Sequence, residues 1–286
     1  WARHSDASTG LITYAFENDW LSLEPCVPLA RQWSLPGPPC ILANMSSAGA
    51  QLAGVDAVLG LATALKRTAD VARYSAMREQ LRAAYHKAFF NATSQAYAGN
   101  YQTGNVLGLY FNATPPEHRA SVVAALVASI TSPSGPVHDV KRVCNGTVPC
   151  LGTGFWGTRY ALQTLAAHGH GDLALALATK VEAPSWGAMA TSLPGTFWES
   201  WDGASRDHPA LAGGIAPYLY ELAGVGIESR HDTIVFRLTA TSLRLEAAAV
   251  SIELPAGRAH FAWTVTSPTE SCGRLQFNIS IPVGHV

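Results

Sequence analysis

Charge is scarce in this 286-residue sequence, and neither sign is in excess. Charged side chains make up 14% of the residues, with 19 Lys and Arg against 20 Asp and Glu, so the formal net charge is −1. Because proteins that bind nucleic acid need a basic surface for its phosphates, this composition argues against a nucleic-acid partner. With 48% hydrophobic residues, the chain also differs from disordered segments, which bury too little apolar surface to fold.

Several other patterns are missing. No run of eighteen apolar residues is present, which argues against a membrane span, and no C-x-x-C pair is present, which argues against a zinc site. The sequence also lacks the G-x-S-x-G and H-E-x-x-H motifs. The glycines of 152–157 match a dinucleotide fingerprint by letter, but no strand precedes them, and the pair His168 and His170 fits a helix end better than a metal site. We therefore expect no cofactor and no metal.

Asparagine is used mainly in N-glycosylation sequons. Five of the eight asparagines start the pattern Asn-x-Ser/Thr, which is the acceptor signal for glycans in the secretory pathway. This is more than chance predicts, although coincidence in a chain rich in Ser and Thr stays open. The five candidate sites are Asn44, Asn91, Asn112, Asn145 and Asn278.

The cysteines give the same indication. Cys26 and Cys40 bracket a Pro-rich loop, and Cys144 and Cys150 bracket a shorter loop with Gly and Pro, whereas Cys272 is left without a near neighbour. Both spacings suit local disulfides, which are typical of oxidising compartments. We therefore expect a protein secreted by a eukaryotic cell.

Apolar residues repeat at helical spacing through most of the chain. The repeats predict helices over 48–65, 70–90, 102–111, 116–130, 155–168, 172–181 and 211–222. Thr68 is a candidate N-cap for the second of these, and Gly169 is expected to end the fifth. Short turns within pairs and longer loops between pairs are typical of an α/α toroid, a barrel of helical hairpins whose loops at one end carry the function.

The pattern changes after Gly226. Alternation with a period of two predicts strands over 234–238, 242–245, 250–254 and 274–279, with a tight turn at 255–257. The expected organisation is therefore a mainly α chain, with a barrel domain over 1–226 and a small antiparallel β-sandwich over 227–286. Since the sequence starts without Met and stops within a strand-like segment, we expect a fragment in which both domains are incomplete.

The most informative motif is Thr196-Phe197-Trp198-Glu199-Ser200-Trp201. Aromatic faces stack on the apolar faces of sugar rings, and a carboxylate beside them can take a proton from water. Partial burial among indoles raises the pKa of such a carboxylate, which suits a base. A structural glutamate, held by an arginine or a backbone N–H, is the alternative.

Other residues repeat parts of this pattern. Asp19 and Trp20 again place an acid beside an indole, and Trp186 lies in a further Pro- and Ser-containing loop. His208 follows Glu199 by nine residues and is a candidate functional residue. For each tryptophan a place in the core is the alternative, and for His208 a surface or capping role is the alternative.

Taken in order, these motifs resemble a known family. Seven segments are similar to bacterial-type α-L-rhamnosidases of glycoside hydrolase family 78. In chain order they are Asp19-Trp20-Leu21, Tyr101-Gln102-Thr103, Thr153 to Thr158, Pro184-Ser185-Trp186, Thr196 to Trp201, His208 and Ala210 to Gly226. The resemblance covers nearly the whole chain. It implies a six-hairpin α-barrel with a C-terminal β-sandwich, and the inverting hydrolysis of terminal α-L-rhamnose from glycosides or polysaccharides.

The resemblance also implies roles for individual residues. Glu199 matches the general base of the family, Asp19 and Trp20 match an acid–indole pair that lines the rhamnose pocket, and His208 matches a histidine that binds sugar hydroxyls. Trp186, Trp198 and Trp201 are expected to line the same pocket.

The chain departs from the family pattern in four ways. The general acid of the family lies in an acidic motif upstream of Asp19, and nothing like it is present here, so residues 1–286 alone are expected to have little or no activity. The segment from Glu199 to His208 is short, and Asp207 stands where the family has Asn. The two cysteine-bracketed loops resemble insertions that reshape the pocket rim.

Two other functions stay open at this point. An α/α-barrel glycosidase for a different sugar would share the same helices and the same base. A non-catalytic sugar-binding protein would instead have lost the acid.

Overall fold

The fold is known from a computed structural model, which describes residues 4–12, 19, 22, 41–132, 144, 147–203, 205–226, 233–266 and 274–284. Trp20, Cys26, Cys40, Asn145 and Cys272 lie outside the described residues. Eight α-helices lie within them, and most fall where the repeats predict. The helices are α1 Ile41–Ala64, α2 Thr68–Phe89, α3 Gln102–Tyr110, α4 Pro116–Thr131, α5 Phe155–Ala167, α6 Gly171–Thr179, α7 Trp186–Thr191 and α8 Ala212–Leu222.

The helices pack as successive hairpins. Helix α1 packs on α2, α3 on α4, and α5 on α6, while α1, α3, α5 and α8 also contact one another in that order. One helix of each hairpin therefore lies in an inner row, and its partner lies outside. This confirms the mainly helical fold of paired helices.

Helix α3 shows why the inner row is buried. Residues 102–109 are all buried, because the helix carries small and apolar side chains around its whole circumference. Gly108 is required by close packing, since a Cβ at this position would lie 2.5 Å from the ring of Tyr97. Gly104 likewise lies against Met45 and Tyr97.

The helix ends test the predicted caps. The prediction for Thr68 is wrong: Thr68 is already helical, and Arg67 occupies the N-cap without a side-chain hydrogen bond. Gly169 ends α5 as expected, with φ +84°, and His170 N and Gly169 N donate to Leu165 O and Ala166 O, which is a Schellman motif. Helix α7 was not predicted, although Ser185 caps it by accepting a hydrogen bond from Ala188 N at 2.9 Å.

The C-terminal part forms one three-stranded antiparallel sheet. Its strands are β3 Ala247–Leu254, β4 Gly257–Thr266 and β5 Arg274–Ser280, in the order β3-β4-β5. A separate two-stranded ribbon joins β1 Phe90–Asn91 to β2 Ala96–Tyr97. The predictions for β3 and β5 are confirmed, but β4 was missed, although Ala259, Phe261 and Trp263 alternate as its buried face. A second sheet, as a sandwich requires, is not formed by the described residues.

Two predicted strands are wrong. Residues 242–245 contain a 3-10 turn, Ser242–Arg244. The turn forms because Thr239 N donates to the Ser242 hydroxyl and Ser242 N donates to the Thr239 hydroxyl, both at 3.1 Å. Such local bonding competes with a strand. The predicted strand 234–238 forms only one bridge, between Val225 and Phe236.

The three-stranded sheet contacts the segment that follows α8. Phe261 and Trp263 are buried, and Trp263 Nε1 donates to Ala223 O at 3.0 Å, just after α8. The last α-helix ends at Leu222 and the three-stranded sheet begins at Ala247, while a domain boundary at residue 226 stays a prediction. Among the described residues, none of the helices has the length and apolar character needed to cross a membrane.

Candidate active site

Glu199 lies on a short irregular hairpin. Glu199 N donates to Ser205 O at 2.8 Å, and His208 N donates to Phe197 O at 3.0 Å. Between these bonds, Trp198 and Arg206 form an antiparallel bridge. The side chain of Glu199 is half-buried. We call residues 197–208 the Glu199 loop, and the backbone bonds hold Glu199 and His208 on its two adjacent arms.

The tip of the Glu199 loop is a tight turn that needs glycine. Gly203 has φ +74°, and its N–H donates to Ser200 O at 3.1 Å. A Cβ at Gly203 would lie 3.3 Å from the six-membered ring of Trp198. The turn therefore combines a left-handed backbone with close packing, and both favour glycine.

Trp201 anchors the Glu199 loop, and Trp186 of α7 packs against Trp201. Trp201 Nε1 donates to Thr153 O at 2.8 Å, and Trp186 Nε1 donates to Leu211 O at 2.9 Å. The two rings meet edge to face with centroids 5.1 Å apart. Their exposed fractions are only 3% and 5%. Both rings are therefore packed against the chain, and their expected place in a sugar pocket stays a prediction.

Trp198 is also a core residue. It is 6% exposed, and the Arg206 guanidinium lies 5.0 Å from the centre of its ring. Its indole N–H has no hydrogen-bond partner in the described part of the chain. Its ring therefore packs near Arg206 and Gly203, and its expected place in a sugar pocket stays a prediction.

Asp19 fills the N-terminus of helix α5. Its Oδ2 accepts from the Thr103 hydroxyl and from Gly154 N at 2.7 Å, and its Oδ1 accepts from Trp156 N at 2.7 Å and Gly157 N at 3.2 Å. Free N–H groups and the helix dipole make such a terminus an anion site. In this protein the chain supplies the anion itself.

The environment of Asp19 gives it a structural role. The residue has no exposed surface, and both of its carboxylate oxygens accept hydrogen bonds from the chain. Asp19 therefore holds backbone in place, while its role in a sugar pocket stays a prediction. Burial raises the pKa of Asp19 above its usual 3.8, while the hydrogen bonds from Thr103 and the backbone oppose that rise.

Residues to which the sequence analysis assigned no individual role connect these parts. Gln102 Oε1 accepts from Gly152 N at 2.8 Å, and its Nε2 donates to Ser129 O and Cys150 O, both at 3.2 Å. At Gly157 a Cβ would lie 2.3 Å from the Thr103 hydroxyl oxygen. The repeated glycines of 152–157 were the available signal: Gly157 leaves room for the Thr103 hydroxyl, and Gly154 N and Gly157 N donate to the Asp19 carboxylate.

The other predicted residues lie near the same end of the helices. His208 is half-buried, and its ring lies 6.1 Å from that of Phe155, the first residue of α5. Its Nδ1 accepts from Ala210 N at 3.2 Å, which assigns the ring proton of the neutral form to Nε2. A disulfide joins Cys144 and Cys150, as their spacing predicts, while Trp20 lies outside the described residues.

A cleft of about 880 Å³ opens at the opposite end of α5. Because α5 has 13 residues, its ends are about 20 Å apart. The cleft is therefore separate from the Glu199 loop. Residues lining it include Tyr110, Gln163, His168, Asp172, Glu221 and Arg244.

This arrangement of helices and loops matches a known protein family. The model of the bacterial α-L-rhamnosidase six-hairpin glycosidase domain matches residues 52–223, which is more than half of the chain and includes the Glu199 loop. The chain belongs to the bacterial α-L-rhamnosidase family. The resemblance inferred from the motifs is thereby confirmed.

Curated relatives in this family are bacterial. The chain is 30% identical to an α-L-rhamnosidase of Streptomyces avermitilis over 138 residues, which are 48% of this chain and 12% of that protein. It is 27% identical to an α-L-rhamnosidase of Formosa agariphila over 223 residues, which are 72% of this chain and 21% of that protein. The chain thus spans at most about a fifth of these relatives.

Solved rhamnosidases share the fold. The Dictyoglumus thermophilum enzyme matches 96% of this chain with a TM-score of 0.72 and 22% identity, over 29% of its own length. The native Aspergillus terreus enzyme matches 97% of this chain with a TM-score of 0.72 and 21% identity, over 31% of its own length. The Streptomyces avermitilis enzyme was solved in complex with L-rhamnose. It matches 99% of this chain with a TM-score of 0.73 and 22% identity, over 25% of its own length. At these identities the likeness concerns the fold.

Proposed function

We propose that the protein carrying this chain is an inverting glycoside hydrolase that releases terminal α-L-rhamnose, with Glu199 as its general base. The observation that carries the proposal is the position of Glu199: a half-buried carboxylate on a loop fixed by backbone hydrogen bonds, inside a rhamnosidase family domain. A base needs a fixed position and access to water, and this position provides both.

Family membership and the names of the relatives support rhamnose as the sugar that is released. The curated relatives are named α-L-rhamnosidases, and one solved relative was captured with L-rhamnose. For this protein we propose rhamnose-containing glycosides or polysaccharides as substrates. Neither a nucleic-acid partner nor a membrane is part of the proposal.

The proposed chemistry is a single displacement. Glu199 takes a proton from a water molecule, the water oxygen bonds to the anomeric carbon, and the glycosidic bond breaks on the opposite face. A carboxylic acid gives its proton to the departing oxygen, so that charge balances. We propose that this acid lies outside residues 1–286, because the solved relatives are three to four times longer.

His208 is proposed to bind the sugar. Its Nδ1 accepts from Ala210 N, and its Nε2 forms no hydrogen bond within the described residues. The Nε2–H group is therefore available to donate to a sugar hydroxyl. Since Trp186, Trp198 and Trp201 are buried, we propose that they support the loop rather than touch the sugar.

The test is the substitution Glu199→Gln in the complete protein, with an aryl α-L-rhamnoside as substrate. The amide keeps the shape but cannot take a proton, so kcat is expected to fall roughly 10²–10⁴-fold. Glu253→Gln, at an exposed ion pair with Arg258 on the sheet, is the matched control and should leave kcat unchanged. NMR of the first product should give the inverted β anomer.

Other outcomes separate the alternatives. Equal activity of wild type and Glu199→Gln would move the base to another residue. Cleavage of a different aryl glycoside alone would keep the barrel but replace the substrate. Retention of configuration would exclude the single displacement, and absence of activity on every aryl glycoside would favour a sugar-binding protein.

We also propose that the protein is secreted by a eukaryotic cell as a glycoprotein. The Cys144–Cys150 disulfide supports an oxidising compartment. Asn91, Asn112 and Asn278 are exposed, so their amides are accessible to a glycan.

A further inference from the structure

The two arms of the Glu199 loop do not pair regularly. Next to the Trp198–Arg206 bridge, a regular antiparallel ladder would join Asp207 N to Phe197 O. The observed donor to Phe197 O is instead His208 N, at 3.0 Å. Asp207 is thus an extra residue on one arm, which is a β-bulge, and a bulge turns the next side chain in a new direction.

The backbone of Asp207 is what makes the bulge. Its φ is +58°, a left-handed conformation that Asn, Asp and Gly adopt more readily than other residues. Its N–H donates to the Thr196 hydroxyl at 3.3 Å. Its side chain is exposed, and the carboxylate forms no hydrogen bond or ion pair within the described residues. What Asp207 contributes is therefore its conformation and not its charge.

His208 depends directly on this bulge. The backbone N–H of His208 is tied to Phe197 O, and its ring is fixed by Ala210 N at Nδ1. A right-handed backbone at Asp207 would rotate both bonds out of place. The direction of the Nε2–H group is therefore set one residue earlier in the chain.

We propose that Asp207 is a positioning residue: its left-handed backbone aims His208 Nε2–H at the bound sugar. The inference rests on the proposed role of His208 in sugar binding.

The test compares four variants of the complete protein, with KM and kcat for an aryl α-L-rhamnoside as readouts. Asp207→Asn and Asp207→Gly keep access to positive φ, so KM should stay within about twofold of wild type. Asp207→Ala and Asp207→Val favour negative φ, and KM should rise about tenfold, as the loss of one hydrogen bond to the sugar predicts.

A control separates positioning from stability. Lys66 lies in the short α1–α2 connection, also with φ +55°, so Lys66→Ala has a comparable backbone cost elsewhere. Tm should fall in both alanine variants, whereas KM should rise only in Asp207→Ala. A wild-type KM for Asp207→Ala would overturn the proposal. So would an equally raised KM for Asp207→Gly, because the side chain would then carry the effect.

A second readout needs no substrate. Crystal structures of Asp207→Gly and Asp207→Ala should show His208 N bonded to Phe197 O only in the glycine variant. If wild type neither binds nor cleaves rhamnosides, the proposed function fails, while these structures still decide whether Asp207 sets the direction of His208. Should the alanine variant fail to fold, the glycine variant decides alone: the wild-type direction of His208 supports the proposal, and a changed direction overturns it.

Discussion

Asp19 and Glu199 look alike in the sequence and differ in the structure. Each carboxylate is followed or preceded by tryptophan. Asp19 is fully buried and accepts four hydrogen bonds at the N-terminus of α5, whereas Glu199 is half-buried on a loop of its own. A carboxylate beside an indole is thus structural where it is fully buried among donors from distant segments, whereas the partly exposed Glu199 stays the candidate for chemistry.

The largest expected effect comes from exchanging the two acids for their amides. Asp19→Asn places an NH₂ group or a single carbonyl oxygen among four donors, so the free energy of unfolding should fall by about 2–4 kcal/mol. Glu199→Gln should change it by less than about 1 kcal/mol while kcat collapses. Chemical denaturation of both variants measures this difference. Loss of activity without loss of stability in Asp19→Asn would break the comparison.

A smaller effect is expected where the two regions are joined. Trp201→Phe keeps an aromatic ring but removes the hydrogen bond to Thr153 O and leaves a small cavity, so the free energy of unfolding should fall by about 1–3 kcal/mol. These losses loosen the Glu199 loop, so kcat should also fall. Trp186→Phe removes the equivalent bond to Leu211 O and is the matched control. It should lose similar stability and keep more of its kcat. Equal kcat values in both variants would show that the Thr153 bond does not hold the loop.

The dependence of stability on pH tests which force dominates at Asp19. Because burial raises its pKa in the folded protein above 3.8, the folded state holds the proton more tightly than the unfolded chain. Its contribution to stability is then greatest below pH 3.8 and declines as the pH rises through the folded pKa. The stability advantage of wild type over Asp19→Asn should therefore grow between pH 7 and pH 4. An advantage that shrinks would mean that the four hydrogen bonds outweigh burial.

The smallest effect on activity is expected from the surface asparagines. Asn91 Oδ1 accepts from Thr93 N and Ser94 N at 2.8 and 3.1 Å, which leaves its amide nitrogen accessible for a glycan. Glycosidase treatment of the secreted protein should lower its mass, and Asn91→Gln should remove one such step without changing kcat. No mass change on treatment would contradict the proposed glycosylation.

Periodicity predicted most of the fold because helices dominate it. Helices α1 to α6 and α8 repeat apolar residues over two or more turns, and each was located. Helix α7 is too short for a period to emerge, and its cap Ser185 was the better signal. The 3-10 turn at Ser242–Arg244 was missed, because two exchanged hydrogen bonds outweigh a strand-like alternation over four residues.

The site was predicted as a set of residues and not as an arrangement. The sequence located Glu199 and His208, whose roles stay predictions, but it could not say which indoles are buried. Trp186 and Trp201 can be buried because each indole N–H donates a hydrogen bond to a backbone carbonyl on another segment. The bulge at Asp207 likewise depends on a pairing between two arms, which composition does not reveal.

Asp19 forms hydrogen bonds with residues that lie much later in the chain. These bonds can therefore form only after those residues have been synthesised. Its partners lie 84 residues later at Thr103 and 135 residues later at Gly154. At roughly 5–20 residues per second, the ribosome delivers Gly154 about 7–27 s after Asp19. Through that interval the carboxylate stays hydrated, and α5 has no counter-ion at its N-terminus. Contacts so distant in sequence close late, so the docking of the Asp19 segment is expected among the last steps of folding, after the hairpins have stacked.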